Sequence, residues 1–129
     1  MPHCTLEYTS NIKDTVNHDD FFKKLHTEIV SCNDFSLDQI KSRAVEHSNF
    51  YIGDGSPNNA FVYLQISILS GRNEILKQEL SKKALTLLEE FFPTSRKELN
   101  CSVTVEIRDM DRASHSRADK INPETVTAS

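Results

Sequence analysis

The sequence predicts an α+β domain, α/β by connectivity. Two consecutive β-α-β units share one four-stranded sheet, with two helices on one of its faces. Three observations predict it. A period-two segment, a helical stripe and a second period-two segment follow one another over residues 3–47, and the same order restarts at residue 60 and runs to 108. The loop between them, residues 50–59, holds Gly53, Gly55, Pro57, Asn58 and Asn59, the composition of a break. Each unit has roughly 45 to 50 residues, enough for a crossover between parallel strands.

Each element has its own warrant. In residues 3–9, Cys4, Leu6 and Tyr8 alternate with His3, Thr5, Glu7 and Thr9, the pattern of a half-buried strand. Asn17 or Asp19 caps the helix that follows. Its apolar residues are Phe22, Leu25, Ile29 and Val30, and Asn33-Asp34 ends it. Residues 39–47 form a weaker strand, with Ile40, Ser42 and Ala44 on one face and Lys41, Arg43 and Val45 on the other. Ala60, Val62, Leu64, Ile66 and Ile68 then alternate with Phe61, Tyr63, Gln65 and Ser67 in a clear strand. Ser70-Gly71-Arg72 turns the chain. A long helix over residues 73–92 carries Leu76, Leu80, Ala84, Leu87, Leu88 and Phe91 on one stripe, and Pro93 follows its end. Residues 101–108 alternate Cys101, Val103, Val105 and Ile107 with Ser102, Thr104, Glu106 and Arg108.

The face away from the helices is mixed. Gln65, Ser67, Thr104, Glu106 and Arg108 are too polar for a core, while Phe61 and Tyr63 are too apolar to stand in water, so this face asks for another subunit. Residues 1–108 read as a single domain. Residues 109–129 are a polar C-terminal arm with two readings: disorder, or order against a neighbouring subunit.

The net charge of −4 argues against nucleic acid and anionic membranes as partners, since both need a basic face. It leaves room for a small anionic substrate. The three cysteines, Cys4, Cys32 and Cys101, are odd in number, far apart and without a C-x-x-C, which excludes a disulfide framework and a zinc site. Reduced cysteines place the chain in the cytoplasm, with Cys4 and Cys101 packed as small apolar residues. The N-terminus lacks the basic-then-apolar order of a signal peptide, and no apolar run reaches the length of a membrane span. His3, His18, His26, His47 and His115 have no metal-ligand spacing. There is no G-x-S-x-G, P-loop or dinucleotide fingerprint.

Pro2 directly after the initiator Met, at the first residue of a strand in a duplicated β-α-β chain, resembles the tautomerase superfamily. Met1-Pro2-His3 with Glu7 and Asn11-Ile12, the run Ile40-Lys41-Ser42-Arg43, Asp54-Gly55 followed by Ala60-Phe61-Val62, and Gly71-Arg72 narrow the match. Together they are similar to the 5-carboxymethyl-2-hydroxymuconate Δ-isomerase family, over roughly residues 2–108. The resemblance implies a homotrimer whose sheets form a central barrel, active sites at subunit interfaces, and no metal or organic cofactor. It implies proton transfer between the 2-hydroxyl and a distant carbon of an unsaturated diacid or triacid.

In that scheme Pro2 is the catalytic base once Met1 is removed. A free α-amine has a pKa of about 8, which burial and neighbouring cations lower toward the working pH. Arg72 and Arg43 are the further catalytic residues, as carboxylate holders. Lys41, Phe61 and Tyr63 bind substrate, the two aromatics as an apolar wall or as interface packing. Lys41 stands where the family usually has Arg, which keeps the charge and loses the planar fork. Glu7 reads as a surface ion pair. Three other readings compete: another substrate, such as phenylpyruvate-like enols; a non-catalytic oligomeric binding protein of the same fold; and, weakest, a nucleic-acid-binding sandwich.

Overall fold

The computed structural model describes residues 2–121. The described residues form β1 (His3–Thr9), α1 (His18–Ser31), β2 (Lys41–His47), β3 (Asn59–Leu69), α2 (Glu74–Phe91), α3 (Pro93–Glu98) and β4 (Asn100–Met110), in the predicted order apart from the added α3. Short 3-10 turns occupy Leu37–Gln39 and Arg112–Ser114. The strands form one mixed sheet in the order β2-β1-β3-β4. β1 pairs with β2 in parallel, β1 with β3 antiparallel, and β3 with β4 in parallel. The two β-α-β units therefore meet along the β1–β3 seam, as an α+β domain built by duplication.

Alternation decides which side is core. Cys4, Leu6, Val62, Leu64, Ile66 and Ile68 are fully buried beneath Phe21, Leu25, Ile29, Leu80, Ala84 and Leu88 of the two helices. Burial pushes the Cys4 thiol up to about 11, against the opposing influence of Ser42 and Arg43, so it packs as an apolar group. The halves repeat at a constant offset. The strand starts His3 and Asn59 stand 56 positions apart, as do the helix caps Asn17 and Asn73. Asn17 Oδ1 accepts from Asp20 N–H at 3.1 Å and Asn73 Oδ1 from Leu76 N–H at 2.8 Å, the same cap in both halves.

Several sequence-based expectations are corrected. The buried stripe of α1 is Phe21, Leu25 and Ile29, a run at i, i+4 and i+8, while Phe22 lies on its flank and is only partly buried. The helix ends at Ser31, and Asn33 follows with a left-handed φ of 64°. Pro93 opens a further short helix instead of only closing α2, because proline suits the first helical position, where its missing N–H has no partner to lose. β4 runs two residues past the expected end, to Met110.

Asp14 holds that short helix in place. Its carboxylate accepts from Thr94 N–H at 3.0 Å, Ser95 N–H at 2.9 Å and Ser95 Oγ–H at 2.6 Å. Partial burial would raise its pKa, but these hydrogen bonds outweigh it and hold the carboxyl below the usual range. Asp14→Ala is expected to lower stability by about 1–2 kcal/mol, the typical loss of a helix cap. Urea unfolding at pH 7 checks it.

Candidate active site

Pro2 is buried where β1 begins, and its carbonyl accepts from Lys41 N–H at 3.1 Å. That bond ties the start of the chain to the start of β2. By the antiparallel register, the C-terminal end of β3 reaches the same edge of the sheet, since His3 lies opposite Ser67. Arg72, just past that end, shares the edge with Pro2. Met1, whose removal frees the amine, lies outside the described residues.

Two cations that form no ion pair among the described residues stand beside His3. The register sets His3 opposite Lys41 and Thr5 opposite Arg43. Arg43 Nη2 donates to His3 Nδ1 at 2.7 Å, which requires a neutral imidazole with its proton on Nε2. Burial, then the charges of Arg43 and Lys41, hold the His3 pKa below its ordinary value. His3 thus reports the electrostatic field one residue from Pro2, and that field disfavours a second positive charge.

Parity separates these groups. Pro2 has the parity of Cys4 and Leu6 and belongs to the helix side of the sheet. Lys41 and Arg43 share parity with His3 and face the open side. Arg72 approaches from the helix side. Its Nε donates to Asp34 Oδ2 at 2.6 Å, its Nη1 to Leu69 O at 3.3 Å, and its guanidinium lies over the Phe35 ring at 4.9 Å.

Phe61 and Tyr63 lie at the far end of β3. Extending the register sets Pro2 level with Ile68, so Phe61 stands seven positions along the strand, roughly 20 Å away at about 3.3 Å per residue. Within one chain these aromatics do not meet Pro2. Phe61 is tilted against His47 at 6.0 Å, and Tyr63 Oη donates to Glu106 Oε1 at 2.9 Å. Glu106 also accepts from Arg108 Nε. Glu7 accepts from His47 Nε2 at 2.9 Å, the expected ion pair.

The segment after β4 crosses the Pro2 end of the sheet. Arg112 donates its N–H to Ser70 Oγ at 3.1 Å and its Nε to Ser70 O at 3.0 Å, and Arg117 Nη1 donates to Gln39 Oε1 beside β2. Residues 122–129 of the expected arm lie outside the described residues. Among the described residues, no three His, Cys, Asp or Glu side chains converge as a metal site, and no helix is long and apolar enough to cross a membrane.

Sequence reasoning missed three participants: His3, Asp34 and Phe35. His3 has a signal in its parity, which it shares with Lys41 and Arg43 once the register is known. Asp34 and Phe35 have none, because the chain separates them from Arg72 by a whole unit.

The pH behaviour follows from two histidines. His26, bonded through Nε2 to Ser42 Oγ at 2.7 Å, has its pKa lowered by burial, as His3 does. Their folded pKa values lie below the ordinary 6.5, so the unfolded chain binds more protons in this window. Stability is therefore expected to fall as pH drops through 6.5, levelling off below the folded values. Thermal melts from pH 7.5 to 5 check this; a His3→Gln/His26→Gln double variant should show a flatter profile than the parent.

A family model described as 5-carboxymethyl-2-hydroxymuconate isomerase matches residues 2–124. The 5-carboxymethyl-2-hydroxymuconate Delta-isomerase of Escherichia coli is 23% identical over 110 residues, 85% of this chain and 87% of that protein. The crystal structure of a 5-carboxymethyl-2-hydroxymuconate isomerase from Deinococcus radiodurans R1 superposes with a TM-score of 0.85 at 27% identity, covering 92% of this chain and 90% of its own. A fused 4-OT wild-type symmetric trimer shares the fold at a TM-score of 0.71 and 16% identity, covering 96% of this chain and 98% of its own. The fold is that of the tautomerases.

Proposed function

Since this chain belongs to the 5-carboxymethyl-2-hydroxymuconate isomerase family, and is on that ground an isomerase, we propose that it moves a proton within an unsaturated 2-hydroxy dicarboxylic or tricarboxylic acid, with the amine of Pro2 as base. One observation carries the reading. A buried proline directly precedes a central strand, at an edge where burial, and then the cations Arg43 and Lys41, hold the neighbouring imidazole below its ordinary pKa. The same field disfavours the prolinium ion and leaves a neutral secondary amine near pH 7. The ring fixes φ, so the lone pair has one direction.

The steps balance without an external reagent. Pro2 N takes the proton of the 2-hydroxyl, electrons shift along the diene, and the prolinium returns the proton to the distant carbon. Negative charge that develops on the 2-oxygen and the carboxylates is met by arginine, the role of a preorganised electrostatic site. Arg72 serves the Pro2 of its own chain. Lys41 and Arg43, turned to the open face, serve a neighbouring copy, with Phe61 and Tyr63 lining its apolar wall. The active unit is therefore a homotrimer with sites at subunit interfaces, and the segment over residues 111–121 lies near those sites. A substrate of this class suits a role in aromatic catabolism, and the cytoplasm is the compartment proposed with it.

Protein confirmed by intact mass to lack Met1 is expected to ketonise 2-hydroxymuconate or its 5-carboxymethyl derivative. Pro2→Ala should lower kcat/KM by about 100-fold or more, the contribution of a positioned base. Arg72→Ala should lower it by about 10- to 100-fold, from the 1.5–3 kcal/mol of a charged hydrogen bond. The parent kcat/KM should rise with pH through a pKa below the ~8 of a free α-amine, because only the neutral amine accepts a proton. Turnover of a phenylpyruvate-type enol alone would move the substrate; turnover unchanged in Pro2→Ala would show that the proline ring is not needed, and turnover unchanged in protein that retains Met1, whose amide acylates Pro2 N, would remove the base.

A further inference from the structure

Arg72 is gripped by a loop from the other half of the chain. Asn33, in the left-handed region at φ 64°, reverses the chain after α1 and brings Asp34 and Phe35 against the turn that carries Arg72. Gly71 sets that turn with φ 113°, and no atom lies within 4 Å of where a Cβ would sit, so its requirement is conformational. The guanidinium is then fixed on several sides. Nε donates to Asp34 Oδ2 at 2.6 Å, Nη2 to Asp34 O at 3.4 Å and Nη1 to Leu69 O at 3.3 Å, with the Phe35 ring at 4.9 Å. Three of five N–H donors are used, which leaves one hydrogen on each Nη.

The burial of this pair is unequal. The Arg72 side chain is 14% exposed and that of Asp34 is 48% exposed. A half-exposed carboxylate adds little to stability. It does remove the rotational freedom of a long side chain, which a substrate carboxylate would otherwise have to remove on binding.

We propose that Asp34 is a positioning residue: it locks the Arg72 guanidinium so that the two free Nη hydrogens form a fixed fork for a substrate carboxylate. This rests on the reading of Arg72 as a carboxylate holder. The acceptor oxygen carries the effect, and its negative charge is secondary. Asp34→Asn keeps an acceptor of the same shape, while Asp34→Ala loses it.

The test compares parent, Asp34→Asn and Asp34→Ala on 2-hydroxymuconate, with Tm recorded for each. Asp34→Ala should raise KM by about 10-fold, the scale of one charge-assisted hydrogen bond, with kcat changed by less than about 3-fold. Asp34→Asn should stay within about 3-fold of the parent in KM. An unchanged or lowered KM in Asp34→Ala overturns the proposal, since a lowered value means Asp34 competes with substrate. An Asp34→Asn variant as impaired as Asp34→Ala overturns it too. Should Asp34→Ala not fold, Asp34→Ser, too short to reach Arg72, replaces it. If the parent turns over no enol acid, the isomerase substrate reading fails separately. Calorimetry with fumarate, a non-reacting diacid, then decides: weaker binding in Asp34→Ala than in parent and Asp34→Asn supports positioning, and equal or absent binding overturns it.

Discussion

The bond from Lys41 N–H to the Pro2 carbonyl is the constraint from which the site follows. A chain terminus ordinarily frays, because nothing holds its first residues. Here the first residues enter the sheet between β2 and β3, so β1 has a partner on both sides and its helix-facing side chains are buried. An amine attached to such a strand inherits the rigidity of the core. It also inherits a fixed set of neighbours, because one register brings the start of β2 and another brings the end of β3 to the same edge.

Charge pairing then sorts the cations. Several cations of this acidic chain answer a carboxylate: Arg72 with Asp34, Lys77 with Glu74 and Asp109, Arg108 with Glu106. Lys41 and Arg43 form no ion pair among the described residues, and the acceptor that Arg43 finds is a neutral imidazole. The charge of Lys41 still reaches Asp119, whose carboxyl is lowered first by its bond to Arg117 and then in part by Lys41. Burial first, and then the charges of Arg43 and Lys41, hold His3 below its ordinary pKa. The two cations beside His3 are turned by their parity to the face away from Pro2.

Much of the fold was legible because alternation is strongest where burial is deepest. Val62, Leu64, Ile66 and Ile68 announce β3 from sequence alone, and Pro2 and Arg72 were found by resemblance at the edge where the register later set them. The helix face was less legible. Phe21 and Phe22 are adjacent and equally apolar, and only packing against Phe91 and the sheet decides between them. The short α3 was hidden because a proline after a helix reads as a stop, although it equally suits the first turn of the next one. Asp34 was illegible in principle: its partner lies 38 positions away, and an aspartate after a helix carries no mark of what it will touch.

The duplication relates the two ends of the sheet to one another. The 56-residue offset that relates His3 to Asn59 and Asn17 to Asn73 also relates Pro2 to Asn58 and Arg72 to Val16. The backbone repeats with them: Asn100 N–H donates to the Asn58 carbonyl at 2.9 Å, as Lys41 does to Pro2. Geometry thus offers two equivalent edges. At the second, Asn58 sits inside the chain, so its nitrogen is an amide and cannot act as a base, and Val16 holds no anion. Side-chain amides fill the place instead. Asn59 donates to Ile52 O at 3.0 Å and to Asp54 Oδ1 at 3.0 Å, accepts from Asn100 Nδ2 at 2.9 Å, and its carbonyl accepts from Asn11 Nδ2 at 2.8 Å. A free amine exists only where a chain begins. At the second edge, then, the backbone nitrogen is fixed as an amide, and the edge is a structural seam.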